Sequence, residues 1–100
     1  MAISDVIQRG SAYYIFDTEN NQSAMLPTLI GDLLGICSDF IVLEQGGLYL
    51  TYDEKGKKIA TLPVQSGDFK NAAGNSFNLF YNGLILSYNK KCQKVATRAV

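Results

Sequence analysis

Between residues 39 and 63 apolar runs are separated by turn residues, and within 48–53 apolar and polar positions alternate with a period of two. Asp39-Phe-Ile-Val-Leu-Glu44 is rich in β-branched and aromatic residues, Leu48, Leu50 and Tyr52 alternate with Tyr49, Thr51 and Asp53, and Lys58-Ile-Ala-Thr-Leu-Pro63 follows. The β-branched and aromatic enrichment of the first run, the period of two in the second and the run that follows predict three strands. Gln45-Gly46-Gly47 reads as the first turn between them. In the second, Asp53-Glu-Lys-Gly56, the carboxylate can accept hydrogen bonds from the turn backbone and glycine supplies the positive φ. Pro63 has no N–H and is expected at a strand end or a sheet edge.

The same text recurs 36 residues later: Gly47 to Val64 falls on Gly83 to Val100 without a gap, with nine of eighteen positions identical. A fainter copy lies one period upstream, where Gly10, Tyr13, Asp17, Ala24, Leu26, Pro27, Gly31 and Asp32 stand 36 residues before Gly46, Tyr49, Asp53, Ala60, Leu62, Pro63, Gly67 and Asp68. The chain reads as one domain, 1–100, of three tandem units, 1–36, 37–72 and 73–100. Units of this length cannot bury their own apolar face and stack on neighbours.

The segments that join the copies carry a further strand. Leu33-Leu-Gly-Ile-Cys37 is apolar on both faces and predicts an inner strand buried on both sides, with Phe69 to Ala73 its weaker counterpart. A short helix over Pro27 to Leu34 is the alternative there. Each full unit is then a four-strand antiparallel meander of inner, Phe-led, Gly-led and outer strands. The first unit lacks the inner one, so eleven strands are expected. Phe16, Tyr52 and Tyr88 are expected at one repeated core position, and Phe40 and Phe77 at another in the preceding strand. Asn20 takes the place of Gly56 in the first unit, a tolerable left-handed residue, whereas Cys92 takes it in the third, which is unfavourable.

Four-strand meanders repeated about an axis build β-propellers, and three units can instead wrap into a monomeric three-fold β-prism or β-trefoil. Charge favours the propeller. The three units carry net charges of −3, −1 and +4 in a chain that is neutral overall, so the basic end of one copy complements the acidic start of another. Three blades make half a propeller, and dimerisation would complete six and close the open sheet ends. A hundred residues bury little core, and only 18% of them are charged, which leaves apolar surface for a partner. The absence of an overall basic balance argues against nucleic acid. No signal peptide and no apolar run long enough for a bilayer is visible, so a soluble, cytoplasmic protein without membrane association is expected.

Gly47-x-Tyr49 leading into Tyr52-Asp53-x-x-Gly56-Lys57-x-Ile59, followed by Gly67-Asp68-Phe69, resembles the WG-type and other blade-like short β repeats, with Tyr49-Leu50 where that family has Trp-Gly. A second resemblance is to the bulb-type mannose-binding lectins, small β-prisms with the strand motif Gln-x-Asp-x-Asn-x-Val-x-Tyr. The matching positions are Glu44, Gly46, Leu48, Leu50 and Tyr52, and again Phe80, Asn82, Leu84, Leu86 and Tyr88. The apolar end of the motif is kept. Its sugar-contacting polar triad is not, Gln8 being the sole match.

Catalytic chemistry finds no foothold. The chain contains no histidine, which removes Cys-His and Ser-His pairs and histidine metal sites, and no Gly-rich phosphate loop is present. Asp17, Asp53, Asp32 and Asp68 recur once per unit, as turn and loop residues do. Cys37 and Cys92 occupy inequivalent positions and read as free thiols. The expectation is a non-enzymatic module without cofactor or metal, self-associating, favouring a homodimer, and serving as a scaffold for a protein partner. A small lectin-like glycan binder is the alternative. Tyr13, Tyr49, Tyr81, Asn82 and Gln45, at or beside the Gly-led turns, are the candidate ligand or partner surface.

Overall fold

A computed structural model describes residues 2–99; Met1 and Val100, the last position of the sequence match, lie outside them. The chain is all-β. Eleven strands run in order: β1 (Ile3–Arg9), β2 (Ala12–Asp17), β3 (Gln22–Pro27), β4 (Asp32–Ile36), β5 (Phe40–Gln45), β6 (Leu48–Asp53), β7 (Lys58–Pro63), β8 (Asp68–Ala73), β9 (Ser76–Tyr81), β10 (Leu84–Tyr88) and β11 (Lys94–Ala99). They form three antiparallel sheets, β1-β2-β3, β4-β5-β6-β7 and β8-β9-β10-β11, each a simple meander. No helix among the described residues is long and apolar enough to cross a membrane.

Local chemistry accounts for the joints. After Pro27 and again after Pro63 the chain makes one 3-10 turn, Thr28–Ile30 and Val64–Ser66, and ends it at a glycine, Gly31 (φ 142°) and Gly67 (φ 154°). The short-helix alternative over Pro27 to Leu34 is therefore replaced by a single turn and a strand. Extended proline φ/ψ leads in, and a glycine-only conformation leads out. Each outer hairpin is closed the same way: one side-chain oxygen accepts two backbone N–H bonds. Asp17 Oδ1 takes those of Glu19 and Asn21, Asp53 Oδ1 those of Lys55 and Lys57, and Asn89 Oδ1 those of Lys91 and Gln93. The left-handed residues that follow are Asn20, Gly56 and Cys92.

The middle sheet is buried on both faces. Ile41, Leu43 and Leu50 pack against Ile3, Tyr13, Ile15 and Leu26 of the first sheet. On the opposite face Phe40, Val42 and Tyr49 pack against Phe77, Leu79, Leu86 and Tyr88 of the third. The alternation in β6 thus separates two cores rather than core from solvent, and Thr51, on the face expected to be polar, is completely buried. Its hydroxyl is satisfied, donating to the Lys90 carbonyl in the third sheet at 2.6 Å. The first interface has a matching bond, from Ser23 Oγ to the Glu54 carbonyl at 2.8 Å. Glu54 and Lys90 stand 36 residues apart in the β6–β7 and β10–β11 turns.

Three expectations change in detail. Phe16 is not a core residue: Tyr13, Ile15 and Asp17 take the buried face of β2 and leave Phe16 half-exposed on the other. Phe40 and Phe77 do not share a position: Phe77 pairs across its hairpin with Tyr88 as Ile41 does with Tyr52, whereas Phe40 pairs with Asp53. They therefore lie on opposite faces of their sheets and meet edge to face, centroids 6.3 Å apart. The inner strand β4 is half-buried rather than buried. Its Gly35 is nonetheless essential to the stacking, because a Cβ built there would stand 2.7 Å from Ala72 Cβ and 2.9 Å from Phe69 Cζ.

Candidate functional site

Stacking leaves two terminal sheet faces that no further sheet covers. Register places Ile7, Tyr14 and Met25 side by side on the outer face of the first sheet, with Asp5 opposite Phe16 next to them. Moving 36 residues along from Ile7, Tyr14 and Phe16 leads to Leu43, Leu50 and Tyr52, which do pack against a neighbouring sheet. Ile7, Tyr14 and Phe16 stay half-exposed, and Met25 is 59% exposed.

The outer face of the third sheet is of another kind. Asn78 Nδ2 donates to Asn71 Oδ1 at 2.7 Å, and Ser87 Oγ donates to Asn78 Oδ1 at 2.5 Å. Beside this polar ladder lie Phe80, 41% exposed, and Ile85, with Arg98 across from Ile85 in the register. The corresponding residues of the middle sheet are Gly35, Val42 and Thr51, and Tyr49 in place of Ile85.

Two concavities open between sheets. One, of about 370 Å³, is lined by Val64, Gln65, Gly67, Asp68, Phe80, Tyr81 and Asn82. The other, of about 570 Å³, is lined by Ala2, Ser38 and Gly74, which stand 36 residues apart, together with Asp39 and Asn75. A run of backbone bonds crosses its wall, Ile3 N–H to the Ser38 carbonyl and Ser38 N–H to the Gly74 carbonyl. At its rim Lys90 Nζ holds Asp39 Oδ2 at 2.8 Å, and this hydrogen bond raises the lysine pKa.

The five residues singled out from the sequence are not gathered in one place. Tyr81 (47% exposed) and Asn82 (φ 50°) share the smaller concavity. Gln45 is exposed at the neighbouring turn, where its side-chain amide donates to the Leu29 carbonyl. Tyr13 and Tyr49 are buried between sheets, each 4% exposed, and their hydroxyls donate to the carbonyls of Gly31 (2.8 Å) and Gly67 (2.7 Å). Those rings tie one sheet to the next and offer no surface for stacking. Sequence reasoning did not single out Phe80 or the Asn71–Asn78–Ser87 ladder. The available signal was their departure from the repeat, Glu44 becoming Phe80 and Gly35, Val42 and Thr51 becoming Asn71, Asn78 and Ser87.

The thiols are unbonded, Cys37 buried and Cys92 half-buried. Burial pushes the Cys37 thiol up to about 12, with the Asp39 carboxylate adding to the shift, and burial raises Cys92 as well. Neither is a ready thiolate near neutral pH. Among the described residues no three Cys, Asp or Glu side chains come together as a metal would require. Comparison with known protein families, curated proteins and solved structures returns no match.

Proposed function

We propose that the chain is a non-enzymatic β-repeat module, half of a six-bladed propeller, that self-associates and serves as a binding scaffold for a protein partner. The observation that carries this reading is the asymmetry of burial. The middle sheet is covered on both faces, while the first and third each keep one face uncovered, and apolar side chains lie on both: Ile7, Tyr14, Phe16 and Met25 on one, Phe80 on the other. Opposite net charge at the two end sheets, −2 over residues 1–31 against +4 over residues 68–99, favours unlike ends meeting. Within such an assembly the concavity beside Tyr81 and Asn82, with its mixture of exposed aromatic and amide groups, is the surface on which a partner protein would sit.

The test is the mass of the particle in solution by light scattering on a sizing column. The expected mass is twice that of the 11.0 kDa chain. A particle of one chain at about 100 µM, where a specific dimer of ordinary affinity is saturated, refutes the reading.

A further inference from the structure

Resting on the self-association proposed above, we infer that the partner is a second copy bound end to end: the outer face of the third sheet of each chain covers the outer face of the first sheet of the other. The contact repeats twice around a two-fold axis in the register that the sheets use within one chain. The geometry of the internal interfaces specifies the contact. At each one a hydroxyl of the preceding sheet donates to the carbonyl of the outer turn of the next, Ser23 of β3 to Glu54 and Thr51 of β6 to Lys90, so the acceptor position repeats while the donor comes from a different strand. Ser87 occupies in the third sheet the place that Thr51 occupies in the second, and Thr18 occupies in the first sheet the place of Glu54 and Lys90. Extending the Thr51–Lys90 contact by one period sets Ser87 Oγ of one chain on the Thr18 carbonyl of the second copy, the hydroxyl proton turning there from Asn78 Oδ1.

The departures from the repeat fit this docking. In the middle sheet Tyr49 reaches the Gly67 carbonyl just before the inner strand β8, and Gly35 is bare because β8 brings Ala72 and Phe69 against it. Among the described residues the first sheet has three strands, β1-β2-β3, and none in the place of β8. A face that covers it needs neither a hydroxyl for that carbonyl nor a glycine for that approach. Tyr49 is replaced by Ile85 and Gly35 by Asn71. A tyrosine at 85 would bring to the junction a hydroxyl with no carbonyl to meet, a cost that isoleucine removes. Charge acts in the same direction: Lys91, Lys94 and Arg98 of the third sheet approach the exposed Asp5 and Glu19 of the first.

The experiment uses full-length chains carrying Cys92→Asn, which removes the half-buried thiol and keeps a residue suited to positive φ. Thr18→Cys is introduced into one preparation and Ser87→Cys into another, and each is treated, alone and mixed, with a short bismaleimide. The expected result is a two-chain product from the mixture and none from either preparation alone. A chain carrying both substitutions should stop at two chains joined twice. A product from Thr18→Cys alone or Ser87→Cys alone, or no product from a mixture whose mass is still two chains, overturns the end-to-end register and leaves self-association standing. A ladder of higher products from the doubly substituted chain overturns two-fold closure. A one-chain mass for the unsubstituted protein overturns both. Tyr14→Glu, placed on the uncovered face of the first sheet, provides a second readout. Dimerisation at least about tenfold weaker with an unchanged strand signature is expected, and an unaltered dimer refutes the contact.

Discussion

Replacing Gly35 by alanine adds one methyl where the second and third sheets come closest. The new Cβ would lie 2.7 Å from Ala72 Cβ and 2.9 Å from Phe69 Cζ. Carbon atoms rest at roughly 3.5–4.0 Å, so the first contact is about 1 Å too short. Phe69 can withdraw because its ring edge is the far end of a rotatable side chain. Ala72 Cβ is fixed to the backbone of β8, and the two inner strands must part. Overpacking of this kind costs about 1–3 kcal/mol, of which the lost glycine flexibility returns roughly 0.5–1. A net loss of about 1–2 kcal/mol lowers the melting midpoint of a chain this size by roughly 5–15 °C. Ala72→Gly removes the obstructing methyl, so the double variant should recover about 1 kcal/mol relative to the sum of the single changes. Urea titration and thermal melts followed by circular dichroism read both quantities. A Gly35→Ala protein as stable as the parent, or additive single changes, would refute the close approach of β4 and β8 on which the stacking argument relies.

Two further outcomes follow from the buried hydroxyl and thiol. Tyr49→Phe leaves the Gly67 carbonyl without its buried donor and should cost about 1–3 kcal/mol in urea unfolding, whereas no loss would mean that the sheets are not joined there. Burial holds the Cys37 thiol at about 12 and raises the Tyr49 phenol above its usual value, Glu44 adding to the latter. Both acids are thus kept protonated in the folded chain at pH values where the unfolded chain releases their protons. Stability is therefore full below about pH 9 and falls as pH rises from there toward 12. Urea midpoints between about pH 8 and 11 measure the slope, Tyr49→Phe should flatten its upper part, and a flat parent profile would refute the burial of both groups.

Most of the fold was legible because its signals are local. Alternation with a period of two, an Asp or Asn that collects two turn amides, and a proline–glycine pair around each connecting turn are written in runs of a few residues. They placed β6 and β7 at their observed limits and gave the count of eleven strands. What the chain does not write locally is which face of a strand meets which sheet. Tyr49 and Thr51 alternate with Leu48, Leu50 and Tyr52 as solvent-facing residues would, yet both are buried, because their hydroxyls find carbonyls in the third sheet. Period two distinguishes one face from the other without saying that either is wet. The same limit explains Tyr13 and Tyr49 as candidate surface residues: an aromatic beside a glycine turn reads alike whether its hydroxyl meets solvent or the next sheet's backbone.

The third unit shows how a repeat can be read through its exceptions. Where the middle sheet has Gly35, Val42, Tyr49 and Thr51, each tied to a neighbour it touches, the third sheet has Asn71, Asn78, Ile85 and Ser87. Three of the four are polar and hydrogen-bond one another across the strands, which lets the face stand in water without unpaired groups. Such a ladder alone would describe a capping end, the polar outer face that a stack of repeats needs for solubility. Phe80 argues the other way. It replaces a carboxylate, Glu44, with an exposed ring, a change that solubility disfavours and a docking face uses. A cap and a docking face make different demands on the opposite end of the stack, since a cap there would be polar too. The first sheet instead presents Ile7, Tyr14, Phe16 and Met25, so the two ends are unlike in polarity as well as in charge. Unlike ends on one chain are the condition for joining two chains around a closed ring.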